Sequence, residues 1–300
     1  MIMYQMRRRV ITVMLAACAV TTTMGLAHAQ GPGSAQHLLA GQLIDDARTV
    51  GRNLNLPAGL AAKQALTLLE EAQSVDAKSA TALRLLAEAA HANGNDVLRA
   101  QVLQKLVNLK PDNITAQVQL FDAIAAQRQT VAGRISVYRT VLAQKTFNDQ
   151  VRSAMAQRIG GLLEAQGRKA SAANMYIRAV KLNAANLTAW QALARTLAAE
   201  NAPVSQRLYA LLHALRADPY QPDALSAIAE ILAGAHDYDQ AATWANAAIR
   251  QYQQARMSIS PALAANLAAY WAIAGKNDQY QAYMGELLAM KHPSTEVLMI

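Results

Sequence analysis

Histidine, cysteine, paired carboxylates and tryptophan are the side chains from which a reaction or a ligand site would be assembled, and their spacing in this chain is the first thing to read. The six histidines, His28, His37, His91, His213, His236 and His292, are scattered. None stands four residues from another with a carboxylate between, the arrangement that would set two imidazoles and a base around zinc on one helix face. They read as surface or loop residues. Glu70-Glu71 and Asp45-Asp46 are adjacent pairs, and neighbours on a helix point in different directions, so they read as solvated faces. No glycine-rich phosphate loop or nucleophile elbow occurs. The residues therefore predict no catalytic group, no metal ligands and no cofactor, and the chain is expected not to be an enzyme. Asn113-Ile114-Thr115 and Asn186-Leu187-Thr188 fit a glycosylation pattern, but each precedes a helical run, where asparagine caps the helix.

The N-terminus carries the next signal. Arg7, Arg8 and Arg9 precede an apolar run from Val10 and the small-residue sequence Ala27-His28-Ala29. That order is a secretory signal peptide over 1–29, cleaved after Ala29. Two other readings stay open. Val10 to Ala29 is about the 20 residues that a membrane helix needs, and Leu15-Ala16-Ala17-Cys18 resembles the lipobox of bacterial lipoproteins, which would make Cys18 a lipidation site. Cys18 is the only cysteine, so cleavage after Ala29 leaves no disulfide and stability must come from buried apolar surface. Loss of the three arginines also lowers the formal charge from +8 to +5. No lysine or arginine run with interleaved aromatics follows, so a nucleic-acid partner is not expected.

The elements that would position any site are helices. Residues are 53% hydrophobic and only 5% aromatic, with alanine dominant, which suits closely packed helices. Gln30 to Gln36 reads as a flexible spacer; after it, apolar positions recur at helical spacing, with breaks at about 34-residue intervals near Pro111, Ala184, Pro219 and Pro293. The pattern is clearest at Gly160, Leu163, Gly167, Ala172, Tyr176 and Ala179. It continues through Trp190, Leu193, Ala194, Leu197, Tyr209, Ala210 and Ala214, with one extra residue, and then Leu225, Ile228, Ala229, Leu232, Tyr238, Ala241, Ala245 and Ala248. In the last of these, Ala235 or His236 stands where the loop glycine is expected. Ile114 to Asn148 is a degenerate unit, and Gln36 to Asp76 offers two more helices.

In these residues the chain resembles the tetratricopeptide repeat family. The resemblance implies an all-α fold, a right-handed α-solenoid of about six to seven helical hairpins over 37–293, with a short tail at 294–300. It places Trp190 and Trp271 at core positions, which leaves Trp244 as the candidate exposed aromatic. It also implies a partner groove lined by the first helix of each hairpin. The groove candidates are Arg84, Glu88 and His91 in one unit, Gln157 and Glu164 in another, and Gln191 and Arg195 in the next. The lysine and asparagine clamp with which chaperone-binding members of the family hold a peptide carboxylate is missing.

Repeats behind a signal, without a catalytic constellation, predict an exported scaffold that binds a protein or peptide in the periplasm or cell envelope. Contact with a membrane would run only through the signal or a lipid on Cys18. The rival expectation is a structural subunit of a secretion, pilus or polysaccharide-export machine, lipid-anchored through Cys18.

Overall fold

The computed structural model describes residues 32–52 and 58–289. The expected signal peptide with Cys18 and Ala29, and the expected tail, lie outside the described residues. Among those described are fourteen helices and no strand. In order they are α1 (Pro32–Gly51), α2 (Ala58–Val75), α3 (Ala80–Ala92), α4 (Asp96–Leu109), α5 (Ile114–Ala126), α6 (Val131–Ala143) and α7 (Asp149–Ala165). There follow α8 (Lys169–Leu182), α9 (Leu187–Ala199), α10 (Val204–Ala217), α11 (Pro222–Gly234), α12 (Tyr238–Gln254), α13 (Pro261–Ile273) and α14 (Asn277–Ala289). They form seven consecutive hairpins, the segment 114–148 among them as a complete pair. One expectation is corrected: the spacer is helical from Pro32, because proline suits the first helical position, where its missing N–H costs nothing.

The described residues fall into two compact units divided between Pro111 and Asp112, the first with α1 to α4 and the second with α5 to α14. Within each, consecutive helices pack together, and α7 also packs against α5 and α9, first helix on first helix. No described helix is long and apolar enough to cross a membrane.

Helix starts are set by short polar side chains. Asn113 Oδ1 accepts the Ala116 N–H and Asn186 Oδ1 the Ala189 N–H, each at 3.0 Å, so both asparagines are caps as their position predicts. Ser79, Asn95, Thr130, Asn148, Asp237 and Ser260 do the same, each cap contributing about 1 kcal/mol. Several first helices end on one left-handed residue. After α7, the Gly167 N–H reaches Glu164 O at 2.9 Å and the Arg168 N–H reaches Leu163 O at 3.0 Å. The same paired bonds recur at Gly94, Asn201, His236 and Gly275, all at positive φ. His236, not Ala235, takes the place of the loop glycine, at φ 64°.

The core explains the small residues. A Cβ on Gly160 would stand 2.5 Å from Tyr176 Cε1, so only glycine lets α7 and α8 approach this closely. Ala172, Tyr176 and Ala179 are the fourth, eighth and eleventh residues of α8, and all are buried. In α12 those places hold Ala241, Ala245 and Ala248, again buried. In α10 they hold Arg207, Leu211 and Ala214. The extra residue lies in the turn between α9 and α10, so Leu211, not Tyr209, fills the place of Tyr176, and Tyr209 is 58% exposed. Trp190 is buried, but Trp244 is half-buried against the core, which corrects its reading as an exposed aromatic.

Candidate functional site

On the first-helix face of the second unit, the same three chemical groups meet twice. In the first set the Tyr138 hydroxyl donates to Asp122 Oδ1 at 3.0 Å, while Arg158 Nε and Nη2 donate to Oδ1 and Oδ2 at 3.1 and 2.9 Å. In the second the Tyr176 hydroxyl donates to Glu164 Oε2 at 2.7 Å, and Arg195 Nε and Nη2 donate to Oε1 and Oε2 at 3.3 and 3.2 Å. Each acid sits on the first helix of a hairpin, the tyrosine is the eighth residue of the second helix, and the arginine comes from the next hairpin. The two-pronged guanidinium grip fixes one repeat against the next. Between the sets lies a cleft of about 280 Å³ lined by Gln157, Thr188 and Ala192 as well as both tyrosines and both arginines.

The electrostatics of these clamps follow from burial and pairing. Burial, and then the charge and hydrogen bond of Asp122, push the Tyr138 phenol far above its ordinary range, and burial with Glu164 does the same to Tyr176. Both phenols remain protonated donors. Burial alone would raise the Glu164 carboxyl, but hydrogen bonds from Arg195 and Tyr176 outweigh it and hold the group below its ordinary value. Each carboxylate is occupied by a tyrosine hydroxyl and a two-pronged guanidinium, an arrangement that holds neighbouring helices together.

Of the expected groove residues, Glu164 and Arg195 meet each other, and Gln157 lines the same cleft. Gln191 Nε2 donates to Gln221 Oε1 at 2.7 Å. Gln221 is itself buried, its amide spent on Ala214 O and Asp218 O at 2.9 and 2.7 Å. In the first unit, Arg84 Nη1 pairs with Glu88 Oε1 at 2.6 Å along α3, and His91 Nδ1 lies 3.2 Å from Arg99 Nη1 on α4. His213 is neither loop nor free surface. It stacks on Trp190 with ring centres 4.6 Å apart and planes at 14°.

A further opening lies one hairpin along the face, a cleft of about 960 Å³ between α9, α10 and α11. Its walls include Arg195, Ala198, Arg207, Gln221, Ala227 and Ile231. Arg207 explains it. Hairpins α7/α8 and α11/α12, with alanine fourth in the second helix, pack more closely than α9/α10, where arginine stands. Arg207 Nε is buried there without an acceptor among the described residues. Arg134, fourth in α6, differs in donating its Nε to Arg128 O at 3.1 Å. The positions of Asp122, Tyr138, Arg158 and Arg207 could be counted from the helix starts, but the Asp122–Arg158 and Glu164–Arg195 pairs cross from one repeat to the next, and no spacing within a repeat reveals them.

The sequence matches no protein-family model, and no curated protein matches it. Solved structures do align. The C-terminal part of a TPR repeat-containing protein from Cytophaga hutchinsonii aligns over 87% of this chain and 98% of its own, at 11% identity and a TM-score of 0.55. A signal-transduction ATPase with numerous domains and a tetratricopeptide repeat sensor, from Pyrococcus horikoshii, aligns over 84% of this chain and 42% of its own, at 17% identity and a TM-score of 0.54. The fold is a tetratricopeptide-type all-α repeat solenoid. At these identities the likeness concerns the fold alone.

Proposed function

We propose that the chain is a non-catalytic exported scaffold that holds an extended protein segment in the bacterial cell envelope, against the cleft between α9, α10 and α11. One observation carries the reading: a buried guanidinium nitrogen, Arg207 Nε, lacks an acceptor among the described residues on the wall of an open cleft of about 960 Å³. An unmet buried donor costs about 1–3 kcal/mol, which a carbonyl or carboxylate of a partner would recover. The apolar walls, Ala194, Ala198, Ala227 and Ile231, would receive its side chains. Export rests on the order of arginines, apolar run and Ala27-His28-Ala29.

The test is photocrosslinking in intact cells with a reactive residue at Ala198 or Ala227, both in the cleft, or at exposed Ala217 outside it. One protein adduct is expected at the two cleft positions and not at Ala217, and it should vanish in R207A. The same adduct at all three positions would sink the cleft assignment. Fractionation of C18S addresses the anchored subunit, favoured by Leu15-Ala16-Ala17-Cys18: a lipoprotein would leave the membrane fraction, whereas a secretory protein cleaved after Ala29 would not change.

A further inference from the structure

The second helices also leave clefts between them, and two neighbouring ones differ in chemistry. Between α8 and α10 a cleft of about 660 Å³ is lined mainly by apolar and aromatic groups, among them Ile177, Val180, Trp190 and Tyr209. Between α6 and α8 the corresponding cleft of about 360 Å³ is lined by Arg139, Arg168 and Arg178. The repeat geometry alone therefore does not make a basic cleft.

These arginines come from three directions, Arg139 from α6, Arg168 from the turn before α8, and Arg178 from α8. No carboxylate is among the lining residues, and among the described residues none of the three guanidinium groups has a hydrogen bond or ion pair. Ser171 and Asn174 add uncharged donors. The floor includes Leu142 and Leu163, which are buried and strengthen charge interactions above them. Arg168 caps α8 without a side-chain hydrogen bond, so the positive end of that helix adds to the same field.

We propose that this cleft binds a phosphate group, free or as the headgroup of a membrane lipid, independently of the partner cleft on the first-helix face. Charge count and shape decide for phosphate over a single carboxylate. Three guanidinium forks offer more donors than two carboxylate oxygens can accept, whereas a phosphomonoester presents three acceptor oxygens and a charge of about −1.5 to −2 at neutral pH.

The experiment titrates inorganic phosphate into the full chain by calorimetry at about 0.1 M salt, and separately sediments the chain with phosphatidylcholine vesicles with and without phosphatidate. Saturable phosphate binding is expected, weakened at least about tenfold in R139Q/R168Q/R178Q, because charge-assisted bonds are roughly twice as strong as neutral ones. K63Q/R216Q/R250Q removes three exposed charges elsewhere and should bind as the wild type does. Sedimentation with phosphatidate vesicles that phosphate competes away assigns a lipid headgroup, and phosphate binding without sedimentation assigns a soluble phosphate. Absence of saturable binding in both arms, or equal loss in the two triple variants, overturns the proposal. Circular dichroism checks that both variants stay folded.

Discussion

Tyr176 serves two neighbours at once, its ring filling the space that Gly160 leaves and its hydroxyl meeting Glu164. Removing only the hydroxyl in Y176F should cost about 1.5–3 kcal/mol in urea denaturation, the range for a bond to a charged acceptor. G160A should cost about 1–3 kcal/mol, since its Cβ would force the ring aside. The carboxylate adds a pH dependence. Glu164 lies below its ordinary value in the fold, so its contribution is present above the ordinary glutamate range near about pH 4.3 and lost as pH falls through the folded value. E164Q should be less stable than wild type near neutrality and converge with it in acid. Parallel stability curves down to acid would refute this account. The gap will be modest, because Arg195 is 67% exposed and water screens the pair.

Six of the described helices end on a left-handed residue, and glycine is not always there. Arg256, at φ 53° after α12, should give way to glycine with a gain of about 1 kcal/mol, read as a raised Tm. G167A, at φ 74°, should lose about as much. The hairpin α9/α10 poses the opposite case. R207M keeps the aliphatic stem and removes a buried donor without an acceptor, so it should stabilise the protein by about 1 kcal/mol while abolishing capture at the cleft. A variant both less stable and still able to crosslink would argue that Arg207 packs the hairpin and does not await a partner.

At the scale of the whole molecule, the hairpins inside each compact unit pack mainly on their neighbours, so damage should stay local. Leu103 in the first unit and Ile159 in the second are both fully buried. Truncating either to alanine should cost about 2–5 kcal/mol. Hydrogen exchange should then show L103A loosening α3 and α4 while α7 and α8 keep their protection, and I159A the reverse. Uniform loss of protection in both variants would mean that the two compact units open as one. The repeat architecture was open to reading because small residues and turn formers act within one hairpin, and Asn113, Asn186 and Gly167 behave as their local sequence demands. The groove was less open: Glu164 and Arg195 share a face as expected, but they spend themselves largely on each other.

Sequence by itself determined that this protein is a series of helical hairpins with small residues at the close contacts, since periodicity, capping and the left-handed turn are local matters settled within a few residues. It also supplied the charges that later formed clamps. Only the tertiary structure decided which charge meets which: Asp122 with Arg158 and Glu164 with Arg195 are joined across 36 and 31 residues. The same is true of the arginines without partners among the described residues, Arg207 at one cleft and Arg139, Arg168 and Arg178 at another. Whether a charged side chain is spent or free depends on groups that neighbouring repeats bring to it, and that is a property of stacking.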